Sequence, residues 1–335
     1  MRIMMLIVGA VALAAGCASG TSSQPVIPAS VIHAALPDGW TFHEYVIPSS
    51  NSDPNGIAAG PDHALWFTEY KTHKIGRITT GGSISEFKIR TAGSAPTDIA
   101  AGPDHAMWFT ESSAGRIGRI TTGGRIREFQ IPTSNSQPIG IAAGPDHELW
   151  FVEYEGNKIG RITTEGAFSE FSIPTAVAHP VGIAPGPDHA LWFTETDGNK
   201  IGRITTGGAV TEFSIPTSGA GPYYIAAGPD QALWFTEINA NKIGRITTTG
   251  SVDEFQLAAI FAFPIGITAG PDNALWFVGS SSNQVEYIGR ITTGGSVRGF
   301  RIPTDYASAY YIAEGPDRAL WFTELNANKI GRLGH

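Results

Sequence analysis

The sequence predicts an all-β fold, a seven-bladed β-propeller whose ring is closed by the N-terminal strand pairing into the last blade. Three observations predict it: a repeat of 42 residues, four β-type runs in each repeat, and a last repeat whose missing fourth run precedes the first repeat. Four short strands in a repeat of this length are typical of propeller blades. A helical repeat is excluded, because no apolar pattern of period 3.6 occurs and Gly or Pro interrupts the chain throughout.

A tryptophan marks the same place in each of the seven repeats. The spacing is 42 residues five times and then 45, with the tryptophans at Trp66, Trp108, Trp150, Trp192, Trp234, Trp276 and Trp321. In the first repeat the β-type runs are 56–59, 64–69, 74–79 and 83–89, separated by turn residues. The Asp of each Gly-Pro-Asp turn is expected to cap its own backbone. Trp66 and Arg77 are expected to face each other across a hairpin as a cation–π pair.

The two ends of the repeat region predict how the ring closes. The last repeat stops at its third run, residues 330–333, and the segment Phe42–Pro48 matches the missing E-F-x-I-P run. The N-terminal strand therefore completes blade seven and removes two exposed strand edges. The propeller is expected to span residues 40–335.

The first residues have the pattern of a bacterial lipoprotein signal. Arg2 precedes a 12-residue apolar run, Met4–Ala15, which is too short to span a bilayer, and Leu-Ala-Ala-Gly-Cys follows at its end. Residues 1–16 are expected to be removed and Cys17 to be lipidated; an ordinary secretory signal with an incidental cysteine is the alternative. Residues 17–39 then form the lipidated Cys and a flexible tether. The expected location is the outer membrane or the cell surface.

The composition excludes several classes of protein. The chain has 22 Lys+Arg against 30 Asp+Glu, a net charge of −8, so nucleic acid is not an expected partner. One cysteine rules out a disulfide scaffold and a Cys-based zinc site. Membrane contact is expected only through the lipid anchor, and the chain is expected to be a monomer.

The glutamates that close the W-F-x-E runs are the first candidate site. They are expected near the channel mouth, where Mg²⁺ or Ca²⁺ could bind among several carboxylates. The other interpretation, which we favour for most of them, pairs each glutamate with the Lys or Arg five residues on, because the loops lack further Asp and Asn oxygens. The six residues are Glu69, Glu111, Glu153, Glu195, Glu237 and Glu324.

Departures from the repeat concentrate on one arc of the same face. Blade six has Gly279 in place of the glutamate, three extra residues in the next loop, and an apolar loop before its first run. Blades five to seven add aromatic residues. One interpretation is a plug of the central channel, and the other is a platform for a hydrophobic ligand or a sugar. The candidate ligand-binding residues are Tyr223, Tyr224, Phe261, Phe263, Ile265, Ser308 and Tyr311.

The blade motif P-x-G-I…A-L-W-F-T-E…N-K-I-G-R-I-T…E-F-x-I-P-T resembles the virginiamycin B lyase (streptogramin B lyase) family over residues 40–335. The resemblance implies a seven-bladed propeller and a Mg²⁺-dependent carbon–oxygen lyase. Such an enzyme opens a cyclic depsipeptide by β-elimination at its ester bond.

The catalytic residues that the resemblance implies are mostly replaced in this chain. Where the family has a Glu that holds Mg²⁺ and a His that acts as base, the chain has Ser308 and Tyr310. A substrate-contacting His of blade six is Ile265 here, and Glu324 retains the second metal-holding Glu. Tyrosine, with an ordinary pKa of about 10, is a poor base at neutral pH. His179, in the loop before blade four, is the other candidate base.

Two functions follow as expectations. The first is an exported, lipid-anchored propeller that binds a hydrophobic or cyclic-peptide small molecule, or a surface ligand, without catalysis. The second is a Mg²⁺-dependent carbon–oxygen lyase that acts on cyclic depsipeptides of the streptogramin B type through Glu324 and altered partners.

Overall fold

A computed structural model of the chain describes residues 35–258, 261–281 and 284–335. These described residues form seven antiparallel four-stranded sheets, each assembled from strands that are consecutive in the sequence, except for the last. Cys17 and the rest of residues 1–34 lie outside them. No helix in the described part of the chain is long and apolar enough to cross a membrane. The predicted all-β propeller is confirmed.

The strands occupy equivalent places in the seven blades, from the innermost outward. The innermost strands are β2 (Pro54–Ala59), β6 (Pro96–Ala101), β10 (Pro138–Ala143), β14 (Pro180–Pro185), β18 (Pro222–Ala227), β22 (Ile267–Ala269) and β26 (Ala309–Glu314). The second strands are β3 (Ala64–Glu69), β7 (Ala106–Glu111), β11 (Leu149–Glu153), β15 (Ala190–Glu195), β19 (Ala232–Glu237), β23 (Ala274–Ser280) and β27 (Leu320–Glu324).

The third and fourth strands complete each blade toward the outside of the ring. The third strands are β4 (Lys74–Thr79), β8 (Arg116–Thr121), β12 (Lys158–Ile162), β16 (Lys200–Thr205), β20 (Lys242–Thr247), β24 (Glu286–Thr292) and β28 (Lys329–Gly334). The fourth strands are β5 (Ile84–Lys88), β9 (Ile126–Gln130), β13 (Phe168–Ser172), β17 (Val210–Ser214), β21 (Val252–Gln256), β25 (Val297–Arg301) and, in blade seven, β1 (Thr41–Val46).

The ring closes as the sequence predicts. β1 pairs with β28 in an antiparallel register that runs from Thr41 opposite Gly334 to Val46 opposite Lys329. The innermost strands of neighbouring blades contact each other, and β2 contacts β26 at the junction of blades one and seven. Blade seven therefore has the same four strands as the others, with its outermost strand supplied by the N-terminal segment.

The core of each blade rests on one aromatic contact between its second and third strands. Phe67 faces Gly76 across the hairpin, and a Cβ on Gly76 would lie 2.1 Å from the Phe67 ring. The neighbouring Trp66 stacks on Phe87 of the fourth strand, with ring centroids 5.5 Å apart. Trp66 and Phe67 are both fully buried. This W-F pair therefore holds strands two, three and four together.

The Asp of the Gly-Pro-Asp turn has a wider role than capping its own backbone. Asp62 accepts a 3.0 Å hydrogen bond from Trp66 Nε1 and a 2.6 Å bond from Arg77 Nε. The Arg77 guanidinium lies 5.9 Å from the centroid of the Trp66 ring, as the predicted cation–π pair requires. The turn is thereby tied to strands two and three, and its aspartate stabilises the hairpin rather than the turn alone.

Candidate functional site

The loops that lead into the innermost strands form one face of the ring, here called the channel-mouth face. Because adjacent strands are antiparallel, the second strands end on this face as well. The loops hold non-glycine residues in the left-handed backbone region, which is costly, most of all for a β-branched residue. Residues of this kind are Asn51, Asp53, Ala95, Asn135, Gln137, Val177, His179, Phe263, Tyr306 and Ser308. The loops therefore hold these side chains in fixed positions around the channel.

Exposed apolar side chains are concentrated on the channel-mouth face. Val177 and Tyr306 are each 62 % exposed, and Phe263 is 41 % exposed. Within the described residues, the remaining large hydrophobic side chain with such exposure is Val46, on the outer strand β1. Of the candidate ligand-binding residues, Phe263 is thus placed on the open surface. Tyr306 belongs to the group of aromatic residues that the sequence indicated on this arc, whereas Val177 was missed by sequence reasoning.

The candidate tyrosines close the channel instead of standing open on its rim. The hydroxyl oxygens of Tyr223 and Tyr310 lie 2.7 Å apart, linking blade five to blade seven. Tyr224 packs edge-on against Tyr311, with ring centroids 4.7 Å apart. Ile265, from blade six between them, is 8 % exposed. The placement favours the plug, the first of the two interpretations that the sequence left open.

Asp98 completes the plug from the opposite side of the channel. It accepts hydrogen bonds from the backbone N–H groups of Ile99, at 2.8 Å, and Ile141, at 3.0 Å, and from the Tyr311 hydroxyl. Burial is the largest influence on its carboxyl and raises its pKa to about 7, against the opposing effect of these three donors. Sequence reasoning missed this residue.

A pattern in the innermost strands could have revealed the plug. Asp98, Tyr224 and Tyr311 stand where P-x-G-I has its glycine, and the blades on either side of each keep that glycine. A Cβ on Gly182 would lie 2.9 Å from the Cα of Tyr224. These three side chains can therefore enter the channel only where the adjacent blades have glycine, which has no side chain, at the same position. The retained glycines are Gly56, Gly140, Gly182 and Gly266.

The family's positions for a base and a metal ligand have a different chemistry here. Burial, more than any neighbouring charge, raises the pKa of the Tyr310 hydroxyl well above 10, so it holds its proton at neutral pH. Ser308 lies on the loop before β26, where its backbone N–H and that of Ala309 hydrogen-bond Glu286. Burial outweighs those bonds and raises the pKa of Glu286 to about 7. Neither residue 308 nor residue 310 supplies an ionised group.

Glu324 does not find the partners that a Mg²⁺ site needs. It is fully buried at the end of β27, and neither carboxyl oxygen has a hydrogen-bond partner among the described residues. Burial first, and then the nearby Glu44, raises its pKa to about 8. Mg²⁺ prefers a near-octahedral set of oxygen ligands. The described residues contain no three Asp, Glu, His or Cys side chains grouped closely enough to hold a metal ion, so they do not fit this cofactor.

The pairing expected for the W-F-x-E glutamates is wrong. Lys74 binds Glu86 of the fourth strand, with Nζ and Oε2 3.3 Å apart. Glu69 lies buried beside that pair, and burial raises its pKa to about 7. The lysine reaches Glu86 because that carboxylate is anchored by the Ser49 backbone N–H of the neighbouring blade, at 3.1 Å. The same lysine–glutamate pair recurs as Lys158–Glu170, Lys200–Glu212, Lys242–Glu254 and Lys329–Glu44.

Blade six replaces this polar cluster with aromatic packing. Gly279 and Gly299 stand where the two glutamates would be, and Tyr287 stands where the lysine would be. Phe261 fills the space: a Cβ on Gly299 would lie 2.3 Å from its ring, and its centroid is 5.8 Å from that of Tyr287. With 2 % of its surface exposed, Phe261 belongs to the core of blade six, although the sequence suggested a ligand contact.

His179 is held in one orientation at the channel-mouth face. Its Nδ1 lies 2.5 Å from Oδ2 of Asp197, and its ring stacks on Tyr154 with centroids 4.4 Å apart. A carboxylate on one imidazole nitrogen fixes the tautomer and leaves the other nitrogen for a ligand or a proton. Of the candidate residues, His179 is the one with a geometry suited to proton transfer.

The closed ring and the loop-rimmed face over its channel define a β-propeller of the seven-bladed class. The sequence profile of the virginiamycin B lyase family matches residues 32–180 and 145–335. A streptogramin B lyase structure is 37 % identical and covers 88 % of this chain and 97 % of its own, with a TM-score of 0.83. The chain belongs to the virginiamycin B lyase family.

Structures of virginiamycin B lyase from Staphylococcus aureus give the same result. One selenomethionine-substituted structure is 39 % identical and covers 88 % of this chain and 99 % of its own, with a TM-score of 0.83. A catalytically inactive variant of that enzyme, solved with quinupristin, matches equally well. Membership of the family is therefore carried by the whole propeller, from its first strand to its last.

Proposed function

We propose that the chain is a ligand-binding propeller whose channel-mouth face receives a hydrophobic small molecule or a cyclic peptide. The observation that carries the proposal is the exposure of Val177, Phe263 and Tyr306 on the loops of that face. Apolar side chains that strained loops hold in water are a typical ligand-contact surface. The plug of Tyr223 and Tyr310 forms the floor beneath them.

The chemistry at the family's catalytic positions supports binding over elimination. A base must be able to accept a proton near neutral pH, and the buried hydroxyl of Tyr310 already holds one. Ser308 has no carboxylate to offer a cation, and Glu324 is buried with a pKa of about 8. These three observations support binding over the acid–base chemistry that the resemblance implies.

His179 favours a second candidate function, a carbon–oxygen lyase with a relocated base. In it, Nε2 would take the proton from the carbon next to a carbonyl, and the electron pair of that C–H bond would form a C=C bond. The adjacent ester C–O bond would break, and its electron pair would leave with the carboxylate. The Asp197 contact, which orients the imidazole, supports this role.

Quinupristin, the compound present with the Staphylococcus aureus enzyme, is the probe that separates the two functions. We expect the purified chain to bind it without turnover, and Phe263→Ala to weaken binding roughly tenfold through lost apolar contact. Val46→Ala, which shortens an exposed apolar side chain on the outer strand β1, is the control. Titration calorimetry measures binding, and mass spectrometry follows ring opening to a linear product of unchanged mass.

Turnover would overturn the binding proposal, and its loss in His179→Ala would assign the second function. Equal weakening by Phe263→Ala and Val46→Ala would show that the channel-mouth face is not the binding surface. Absence of binding by the wild-type chain would remove cyclic depsipeptides of this type from the ligand class.

We also propose that the chain works outside the cytoplasm as a lipid-anchored protein of the outer membrane or cell surface. The support is the apolar run before Cys17 and the position of this sole cysteine after Leu-Ala-Ala-Gly. Labelled palmitate is expected in the wild-type chain and absent from Cys17→Ser. An unlabelled wild type would contradict the anchor.

A further inference from the structure

Four basic residues that break the repeat meet in one groove on the outer edge of the ring. Lys88 and Arg90 lie at the end of the fourth strand of blade one, and Arg125 and Arg127 lie at the start of the fourth strand of blade two. They line a groove of about 450 Å³ together with Gly124 and Ile126. We call it the basic groove.

At this junction between blades all four positions are basic, whereas no other junction has more than one Lys or Arg at them. In blades three to five none of the four aligned positions is basic; Arg90, for example, stands where blades two, three, four and six have the Pro of I-P-T. The residues of the equivalent groove between blades three and four are Ser172, Pro174, Ala209 and Thr211. The repeat itself therefore does not require cations here, and the structure of a blade is compatible with small neutral residues in their place.

The charges of the basic groove are not neutralised by the protein. All four side chains are exposed, and within the described residues none of them forms an ion pair. The nearest acidic residues along the same strands are engaged elsewhere: Glu86 with Lys74 at 3.3 Å, and Glu128 with Arg116 at 3.9 Å. Four unpaired cations in one concavity attract anions strongly, even on a chain with net charge −8.

The composition of the basic groove indicates which anion it suits. Three of the four residues are arginines, whose planar guanidinium groups bind phosphate oxygens in pairs. Arg127 is further positioned by the ring of Phe129, 5.1 Å from its guanidinium carbon. A volume of about 450 Å³ accommodates a small molecule, and a concave groove suits a compact anion better than a flat surface.

We propose that the basic groove is a binding site for a compact anion that carries two or more phosphate groups. The site lies on the outer strands of blades one and two, and of its basic residues only Arg90 belongs to a loop of the channel-mouth face. Its ligand is a different molecule from the apolar one proposed for that face, and either site can exist without the other.

Sodium tripolyphosphate is the probe that tests the basic groove. We expect calorimetry to show binding that weakens as salt is added. Arg127→Ser, which restores the residue of blades one and three, should weaken it about tenfold or more, and Arg90→Pro should do the same. Arg298→Ser is the matched control, because Arg298 is an exposed arginine at the same strand position in blade six. It should leave the affinity unchanged within about twofold.

Three other outcomes would overturn the proposal: the wild-type chain fails to bind tripolyphosphate, Arg298→Ser weakens binding as much as Arg127→Ser does, or sulfate binds as tightly as tripolyphosphate. Groove-dependent binding to phosphatidylglycerol vesicles without binding of soluble tripolyphosphate would assign the groove to a membrane surface and would equally reject a compact ligand. If Arg90→Pro alters the thermal unfolding temperature, Arg127→Ser alone decides, since serine occupies that position in blades one and three.

Discussion

At the scale of single residues, the propeller depends on large side chains that fit against glycine. Phe193 faces Gly202 across the hairpin of blade four, and a Cβ on Gly202 would lie 2.0 Å from the Phe193 ring. The same fit recurs in the other blades. Close-packed interiors have no room for an added methyl group without displacement of neighbours. The glycine of I-G-R is therefore required by packing and not by backbone conformation.

Gly202→Ala tests this contact directly. We expect it to lower the free energy of unfolding by about 1–3 kcal/mol, because the new methyl group must displace the buried Phe193 ring. Gly207→Ala is the control: its Cβ would meet nothing closer than the Thr205 hydroxyl, at 3.8 Å. Urea unfolding followed by tryptophan fluorescence measures both. Equal stability of the two variants would refute the role given to the glycine.

Residue-scale packing also sets the limit of what the sequence could predict about the site. The tyrosines of blades five and seven were identified as one group, but a plug and an open platform use the same residues. The difference lies in whether Tyr223 and Tyr310 reach each other across the channel, which depends on the ring diameter and on the glycines beside them. Phe261 was misjudged because its filling role is visible only with Gly279, Gly299 and Tyr287 considered together.

At the scale of strands, neighbouring blades are linked by the Thr of W-F-T-E and by the closing strand. Thr68 Oγ1 accepts a hydrogen bond from the Gly56 N–H of its own blade and donates one to the Thr97 carbonyl of the next, both 2.9 Å long. β1 joins the ends of the chain through the Glu44–Lys329 ion pair and the stack of Tyr45 on Trp321. The strand limits were largely predictable, because each repeat carries its own turn residues.

Removal of β1 tests the closure. A chain without residues 1–46 loses the partner of β28 and exposes that strand edge. We expect its unfolding temperature to fall by on the order of 5–10 °C or its unfolding to lose cooperativity. A chain without residues 1–34, which keeps β1, is the control and should unfold like the full chain. Differential scanning calorimetry compares them, and identical transitions for both would contradict a closing role for β1.

At the scale of the whole molecule, the ring combines two sets of carboxyl groups with opposite proton affinities. Burial raises the pKa values of one set to about 7 or about 8; the set includes Glu69, Glu111, Glu153, Glu195 and Glu237. The turn aspartates form the other set: hydrogen bonds from Trp and Arg outweigh their burial and lower the pKa values of Asp62, Asp104, Asp188, Asp230 and Asp317.

The two sets predict how stability depends on pH. A carboxyl whose pKa is higher in the folded chain than in the unfolded one binds its proton more tightly when folded. Its contribution to the stability of the fold is complete below the unfolded pKa of 4.5. That contribution is lost as pH rises through the folded pKa of about 7 or 8. The aspartates act in the opposite sense, and their contribution is lost only as pH falls below 3.8. Stability should therefore be greatest in mildly acidic solution.

Thermal unfolding between about pH 5 and pH 8.5 measures this effect, since the raised carboxyls titrate in that window. We expect the unfolding temperature of the wild-type chain to fall as pH rises, and the fall to be smaller in Glu195→Gln. Glutamine, unlike Glu195, cannot ionise beside Glu212. One unit of pKa corresponds to about 1.4 kcal/mol. At the alkaline end the free energy of unfolding of the variant should therefore exceed that of wild type by at least this amount. Glu165→Gln is the control, because Glu165 is exposed and its pKa is lowered. A Glu195→Gln chain with the same pH dependence as wild type would mean that these buried glutamates do not hold their protons in the folded ring.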